Sequence, residues 1–324
     1  MKIRLFTARA FWSAVLLSFW GLCVVAAEFP TGPITIVVPF AAGSGTDQTA
    51  RAMTQAMTEA SGASFIIDNR GGANGILAAQ FVAQAKPNGY TILLTTNTTQ
   101  VANQHLYKKL PYDPVKDFQP IGLIGRGSMF LVVNAPSKIR TVEDLIRAAK
   151  ERPGTLNFGS GSSSSLVGSE LLKQLAKINV TSVPYKSNPQ AVNDLMGGQI
   201  DYMFLDSSTA LPLIRAGRLH PVAVSAATRS NAAPQVPTVA EAGLPGFEVT
   251  YWNAVYAPAG TPIEVVDTLF KMISTAALSR RMVLRQESLG SEAISSSPRE
   301  LAEYQAREVH QWGQIIRAAG IEPE

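Results

Sequence analysis

Four short segments hold residue types able to bind a small polar molecule. The first is Pro39-Phe40-Ala41-Ala42-Gly43-Ser44-Gly45-Thr46-Asp47, between a β-branched run and a helical pattern. Gly43 and Gly45 permit close backbone approach, and the free N–H groups of a helix start attract an anion. No Gly-Lys-Ser/Thr follows, so this is not a Walker loop, and Gln48 stands where a dinucleotide fingerprint needs its third Gly. The competing reading is a flexible loop in which Thr46 or Asp47 only caps the helix. The second segment, Gly159-Ser160-Gly161-Ser162-Ser163-Ser164-Ser165, puts five hydroxyls in seven residues before another helical pattern. It suits an oxyanion, or is a polar loop with one Ser as N-cap. The third, Thr95-Thr96-Asn97-Thr98-Thr99, ends a strand pattern, where open α/β sheets place ligands. The fourth is Val183-Pro184-Tyr185-Lys186-Ser187, in which Tyr185 can pack over a ligand and Lys186 can supply positive potential. Asp206, after Met203-Phe204-Leu205, is suited to hold a cation, bind an amino group or cap the helix that follows.

Catalytic and metal chemistry find little support. A hydrolytic triad needs a nucleophile elbow, Gly-x-Ser-x-Gly, and none is present. The histidines are His105, His220 and His310; the second stands beside Pro221 and the third lies in a charged helical stretch. No His-Glu-x-x-His, acidic calcium loop or cysteine cluster occurs, so no metal and no cofactor is expected.

These loops must be positioned by a chain of 324 residues, long enough for about two domains. At 46% hydrophobic and 16% charged residues it can bury a substantial core. Lys2, Arg4 and Arg9 precede an apolar run from Ala10 to Ala27 broken only by Ser13 and Ser18, with Val25-Ala26-Ala27 before Glu28. That order is a secretory signal over residues 1–27 with cleavage after Ala27. An uncleaved anchor is the rival reading; Leu22 before Cys23 argues against a lipoprotein. Cleavage removes three of 28 basic residues, none of the 24 acidic ones, and the single Cys. The mature chain is then close to neutral and thiol-free, which suits an oxidising compartment and excludes the basic field a nucleic acid requires.

Strand and helix patterns alternate through the mature chain. Strands are expected at 34–38, 64–68 and 90–95, with helices over 46–60 and 75–84 between them. A second series runs from the capping-box start at Thr141 through strands at 156–158, 180–183, 201–205 and 221–225, with helices at 164–177, 189–196 and 210–216 between them. Strands at Phe130–Val133 and Tyr251–Ala257 stand beside the boundaries, and Ser297-Pro298-Arg299-Glu300 opens a last helix reaching about Ala319. The order β-α-β-α-β implies parallel sheets, hence two α/β lobes. The final ~70 residues hold too few strands for their own core, so they should return to the first lobe and leave two crossings as a hinge beside a cleft.

Six strings make the chain recognisable: Pro33-Ile34-Thr35-Ile36-Val37-Val38-Pro39-Phe40, Asn69-Arg70-Gly71-Gly72-Ala73-Asn74-Gly75, Leu110-Pro111-Tyr112-Asp113-Pro114-Val115-Lys116-Asp117-Phe118, Val183-Pro184-Tyr185-Lys186, Val236-Pro237-Thr238-Val239-Ala240-Glu241-Ala242-Gly243 and Ala257-Pro258-Ala259-Gly260-Thr261-Pro262. In that order, behind a signal peptide, the chain resembles the solute-binding proteins of tripartite tricarboxylate transporters, the Bug family. The resemblance implies an α/β fold, a type II periplasmic binding protein of two Rossmann-like lobes, with a ligand cleft and two hinge crossings. Residues 28–128 and 251–324 would form lobe 1 and residues 129–250 lobe 2. It implies an exported, periplasmic receptor that closes on a small organic carboxylate and hands it to integral-membrane transporter subunits, without nucleic acid and without catalysis. It places ligand contacts on Phe40, Ala41, Gly43, Ser44, Thr46, Thr95, Thr98, Ser160, Ser163 and Ser164; Tyr185 and Asp206 join them from the residue reading. Departures from the family pattern, such as Ala41-Ala42-Gly43-Ser44 for Pro-Pro-Gly-Gly, Leu166 for His and Asp206 for an Asp one position earlier, keep any relative's ligand from being transferred. Dicarboxylates, citrate-like acids, acidic amino acids and aromatic carboxylates stay open. A periplasmic sensor with the same pocket and, more remotely, an exported hydrolase are the other readings.

Overall fold

The computed structural model describes residues 29–324; the signal peptide read at 1–27 lies outside the described residues. The chain opens as β1 (Ile34–Val38), α1 (Gly45–Ser61), β2 (Phe65–Asn69), α2 (Ile76–Ala83) and β3 (Thr91–Thr96). β1 lies between β2 and β3, parallel to both, as an apolar β-branched run buried on both faces requires. Ser44 caps α1 and Gly62 ends it in the left-handed conformation.

The segment after β3 corrects one expectation. Residues 95–99 read as an open loop, but the strand extends to Thr96 and passes into a π-helical turn, Thr98–Ala102, and then α3 (Asn103–Leu106). Thr98, Thr99 and Gln100 are buried, so their backbone groups cannot rely on water. A helical turn satisfies them locally.

The next strand organises the molecule. β4 (Phe118–Asn134) is 17 residues long, although only Phe130–Val133 has the composition of a strand. Pro120, Gly122, Gly125 and Gly127 hide its first half, because such residues normally mark turns. They serve close approach: a Cβ on Gly127 would meet the Tyr251 hydroxyl at 2.8 Å and the Ser291 hydroxyl at 2.9 Å.

The second series follows as α4 (Val142–Glu151), β5 (Asn157–Ser160), α5 (Ser163–Ala176), β6 (Thr181–Pro184), α6 (Asn188–Met196), β7 (Met203–Asp206), α7 (Ser207–Arg215) and β8 (Leu219–Val224). β5 and β6 are parallel, and a bridge from Phe158 to Tyr202 links them to β7. The helix expected from Ala210 starts at Ser207, because Asp206 caps it.

The chain then returns. β9 (Thr250–Pro258) inserts antiparallel between β3 and β4, followed by α8 (Ile263–Ala277), α9 (Arg280–Ser288), β10 (Ser291–Ala293) and α10 (Pro298–Ala318). The first sheet has the order β10-β4-β9-β3-β1-β2. β4 pairs with β9 as far as Ser128↔Thr250, then with β7 from Met129↔Asp206 and with β8 from Phe130↔Val224. One strand therefore belongs to both lobes, and β9 begins where it changes partner.

Helices α1 and α8 cover one face of the first sheet around Ile36, Met53, Ile92 and Leu269. α10 covers the other with Trp312 and Ile316, beside Trp252 of β9. Trp252 Nε1 donates to the buried Glu308 carboxylate at 3.0 Å; burial pushes that carboxyl above its ordinary range. β7, β8, α6 and α7 enclose a separate cluster around Phe130, Leu195, Met203 and Leu211.

α10 is entered through a capping box in which Ser297 Oγ accepts from Glu300 N–H and the Glu300 carboxylate accepts from Ser297 N–H at 2.8 Å. Ser297→Ala is expected to cost about 1 kcal/mol. Thermal denaturation should show a drop of roughly 2 °C; an unchanged Tm would mean the cap contributes nothing to holding α10 on the sheet.

Candidate ligand-binding site

A cavity of ≈ 460 Å³, mouth included, lies between the two groups of elements. Phe40, Ser44, Gly45 and Thr46 from the β1–α1 loop and Thr96 and Thr98 from the end of β3 form one wall. Ser162 and Ser164 at the start of α5, Ser187 and Asn188 at the start of α6 and Asp206 before α7 form the opposite one. Met129, Tyr251 and Asn253, on the crossing strands, line it from the hinge side.

The first wall is held rigidly by a buried carboxylate. Asp47 Oδ2 accepts from Gly43 N–H at 2.8 Å and from Arg51 Nε at 3.0 Å, and Oδ1 accepts from Asn69 Nδ2 at 3.1 Å. The Asn69 amide also donates to Phe40 O, and Ser44 Oγ accepts from Asp47 N–H. Burial works against the Asp47 charge, but the Arg51, Gly43 and Asn69 donors outweigh it and hold the carboxyl below its usual range. The N–H groups of Gly45 and Thr46, in the first turn, have no acceptor within their own helix.

The opposite wall repeats the device. Ser162 Oγ accepts from Ser165 N–H and caps α5; the first-turn amides of Ser163 and Ser164 have no acceptor within their own helix, and Ser164 lines the cavity. Asp206 caps α7: its Oδ2 accepts from Thr209 N–H at 3.1 Å, Thr209 Oγ1 at 2.7 Å and Ser208 Oγ at 2.8 Å. Among the described residues no Lys or Arg lines the cavity, and Asp206 is the one acidic side chain that does. Thr98 Oγ1 and Asn253 Oδ1 are buried without a hydrogen-bond partner among the described residues.

The walls touch each other. Ala41 N–H donates to Ser187 Oγ at 3.3 Å, Asn97 Nδ2 to Ser164 Oγ at 3.3 Å, and Ser163 Oγ to Asn103 Oδ1 at 3.0 Å. The hydroxyls of Ser207, Tyr251 and Ser291 form a triangle with sides of 3.0–3.2 Å. Burial raises the Tyr251 pKa, and the Asp206 charge raises it further, so the hydroxyl stays neutral. The lobes are therefore closed on one another.

Of the residues singled out from the sequence, Phe40, Ser44, Thr46, Thr98, Ser164 and Asp206 come together around this cavity. The other six do not line it. Ala41 faces Ser187 through its amide, and Gly43 is exposed with its N–H on Asp47. Thr95 is fully buried with its hydroxyl 2.6 Å from that of Thr99. Alternation along the strand turns its neighbour Thr96 toward the cavity instead. Ser160 ends β5 and uses its carbonyl to accept from Tyr185 N–H, while the Ser163 hydroxyl is taken by Asn103. Tyr185 turns its hydroxyl to Asp194 at 2.7 Å; burial, reinforced by Asp194, pushes its pKa up to about 12.

Sequence reasoning passed over Met129, Asn188 and Asn253, and had Thr96 only as a member of its segment. Asn253 carried a usable signal, being a lone amide within the apolar run Tyr251–Ala257. Met129 and Asn188 carried none, since their place depends on how three chain segments meet. Among the described residues, no His/Cys/Asp/Glu group has a metal-holding arrangement, and no histidine lines the cavity.

A family model described as the tripartite tricarboxylate transporter family receptor matches residues 49–321. A protein of Pseudomonas sp. (strain P51), "UPF0065 protein in tcbD-tcbE intergenic region", is 38% identical over 291 residues, 89% of this chain and 86% of that one. The structure "R. palustris Rpa4515 with adipate" superposes with a TM-score of 0.89 at 34% identity, covering 92% of this chain and 100% of the other. "Structure of periplasmic binding protein BugD" gives 0.88 at 31%, covering 91% and 100%.

Two expectations follow from the geometry. A Cβ at Gly45 would run into the Asp206 carboxylate and the Ser208 hydroxyl across the cleft. Gly45→Ala should hinder closure and weaken any enclosed ligand by at least about tenfold, a loss of roughly 1.4 kcal/mol. The unliganded Tm should move by less than ~2 °C; unchanged affinity in a calorimetric titration would contradict this. Asp47 has a depressed pKa, so its stabilising effect is complete above the ordinary 3.8 and is lost as pH falls through the lower folded value. The Tm gap between native protein and Asp47→Asn should be open at pH 7 and narrow below pH ~3. A gap of constant size would show that the charge is irrelevant.

Proposed function

This chain belongs to the tripartite tricarboxylate transporter receptor family, and from that premise we propose that it captures a small organic carboxylate between its lobes and delivers it to integral-membrane transporter subunits. The reading includes export to the periplasm by a cleaved signal at residues 1–27. It takes residues 28–128 with 251–324 as one closing body and 129–250 as the other. The relative whose structure carries adipate supports the carboxylate class, though not that compound for this chain.

The observation that carries the reading is the meeting of two serine-capped helix starts, α1 and α5, from opposite sides of one cavity without a cation. A micromolar ligand needs about −8 kcal/mol. One helix terminus supplies only ~0.3–2 kcal/mol toward a carboxylate. Several neutral donors must act together, and they count for more once water is excluded. The Gly45, Thr46 and Ser164 amides with the Ser164 hydroxyl are the donors assigned to this task. They are pre-aimed by the Asp47 network and by the Ser44 and Ser162 caps, so little ordering cost falls on binding.

Closure supplies the second half of the mechanism. The cross-lobe contacts of Ala41 with Ser187 and of Asn97 with Ser164 exist only when the lobes are together. A ligand that binds both walls shifts the population toward that state. The membrane partner can then discriminate loaded from empty receptor by shape.

A thermal-shift screen of the mature chain, 28–324, against mono-, di- and tricarboxylates tests this. A ligand at 100 times its Kd should stabilise by ~2.7 kcal/mol. Ser164→Ala should reduce that ligand's affinity by about tenfold, since a hydrogen bond to a charged group is worth ~1.5–3 kcal/mol. No shift for any carboxylate, in protein whose mass spectrum after denaturation shows no retained ligand, would overturn the proposal.

A further inference from the structure

The cross-lobe contacts are not alike. Ala41 with Ser187 and Asn97 with Ser164 are both 3.3 Å long, and each includes a side chain that lines the cavity, so its strength depends on what fills that space. On the hinge side, Ser207 with Ser291 and the Arg215 guanidinium with the Ser288 carbonyl join α7 to the segment around β10. They stand beside the point where β4 changes partner, and rotation about that point moves them least. Ser163 with Asn103 fits neither group. The Ser163 hydroxyl donates to Asn103 Oδ1 at 3.0 Å, neither residue lines the cavity, and both are fully buried.

Asn103 is built to receive that hydroxyl. Its Nδ2 donates to Asn74 O at 3.0 Å and to the Tyr112 hydroxyl at 3.2 Å. Tyr112 in turn donates to Thr99 O at 2.7 Å, within the π-helical turn that precedes Asn103. With its nitrogen fixed at two points the amide cannot rotate, and Oδ1 is left facing α5 as an acceptor. The Asn69–Gly75 string supplies the first of these anchors. Ala73 and Asn74 both take left-handed backbone, with φ of 47° and 48°, a conformation that a β-carbon makes costly and that Asn tolerates better than most residues. The Asn74 amide holds this turn by donating to the Tyr107 hydroxyl at 2.8 Å. On the other lobe the Ser163 hydroxyl is free for the task, because Ser162 caps α5.

We infer that Asn103 is a positioning residue that sets the affinity of this receptor: it latches the closed form through Ser163 and does so without touching the ligand. The inference rests on the capture-and-closure reading above and deepens it. With the lobes apart, water satisfies the Ser163 hydroxyl and Asn103 Oδ1. With the lobes together, both are sealed from water and bond to each other. Apparent affinity scales with the population of the competent, closed form. The latch therefore strengthens every ligand by the same factor, whereas a residue that touches the ligand discriminates among them.

The test is Ser163→Ala, followed by calorimetry and stopped-flow binding of succinate, citrate and glutamate. Each of these that binds the native protein should bind the variant about fivefold more weakly, the effect of one neutral hydrogen bond. The factor should be the same for each and should lie in the dissociation rate, because encounter precedes latching. In the Asn103→Ala background, Ser163→Ala should cost nothing more; where Asn103→Ala does not fold, the Ser163→Ala series decides by itself. No loss, losses that differ from ligand to ligand, or a loss that persists without Asn103 overturns the latch and leaves the carboxylate reading standing. Failure of these three and of the wider carboxylate screen to bind native protein overturns the two together.

Discussion

The rest of the structure depends on a change of partner within one strand. β4 gives its first eleven residues to β9 and the remainder to β7 and β8, with the switch between Ser128 and Met129. A strand buried in two sheets cannot leave backbone groups unpaired, so both sheets must meet it in a fixed register. That register places Tyr251 opposite Gly127 and Asp206 opposite Met129, which brings the crossing strands and the α7 start to the same place. The cavity is the space left between two bodies that share this strand.

The walls of that space use backbone rather than charge. Helix starts offer N–H groups with no internal acceptor, and those of α1, α5 and α7 beside the cavity are each held by a short-range cap, while α6 has no side-chain cap. The one strong ionic feature near the first wall, Asp47 with Arg51, is set one shell back and spends its bonds on Gly43 and Asn69. Its effect is to stiffen the loop rather than to contact a ligand. Neutral donors on a rigid frame can bind an anion tightly once enclosed, and release it when the frame opens and water returns. A lysine or arginine in the same place would hold the anion in both states.

Much of the fold was legible because its signals are local. The β-branched run Ile34–Val38, the caps at Thr141 and Ser297 and the alternation of strand and helix patterns each reflect preferences of a few consecutive residues. The first half of β4 was illegible for the opposite reason. Its glycines answer to the close approach of Tyr251, Ser291 and Ser296, segments more than a hundred residues away. The turn after β3 was misread as a loop because its burial under α10 is not written in its own composition.

The site divides along the same line. Residue types alone determined which loops to consider: Gly43 to Thr46, the serine run at 160–165 and the threonines after β3 carry hydroxyl and backbone donors at element ends, and that is a local property. They also determined that no Cys–His cluster or hydrolase motif competes with them. Only the tertiary structure decided which member of each loop faces the cavity. Thr96 rather than Thr95 lines the cavity because strand neighbours point to opposite faces, and Ser164 rather than Ser163 because Asn103 claims the latter. It likewise decided that Asn253 and Asp206 share the cavity with them, since that depends on which distant segments meet around one enclosed volume, and sequence spacing carries no distance between segments joined only by packing.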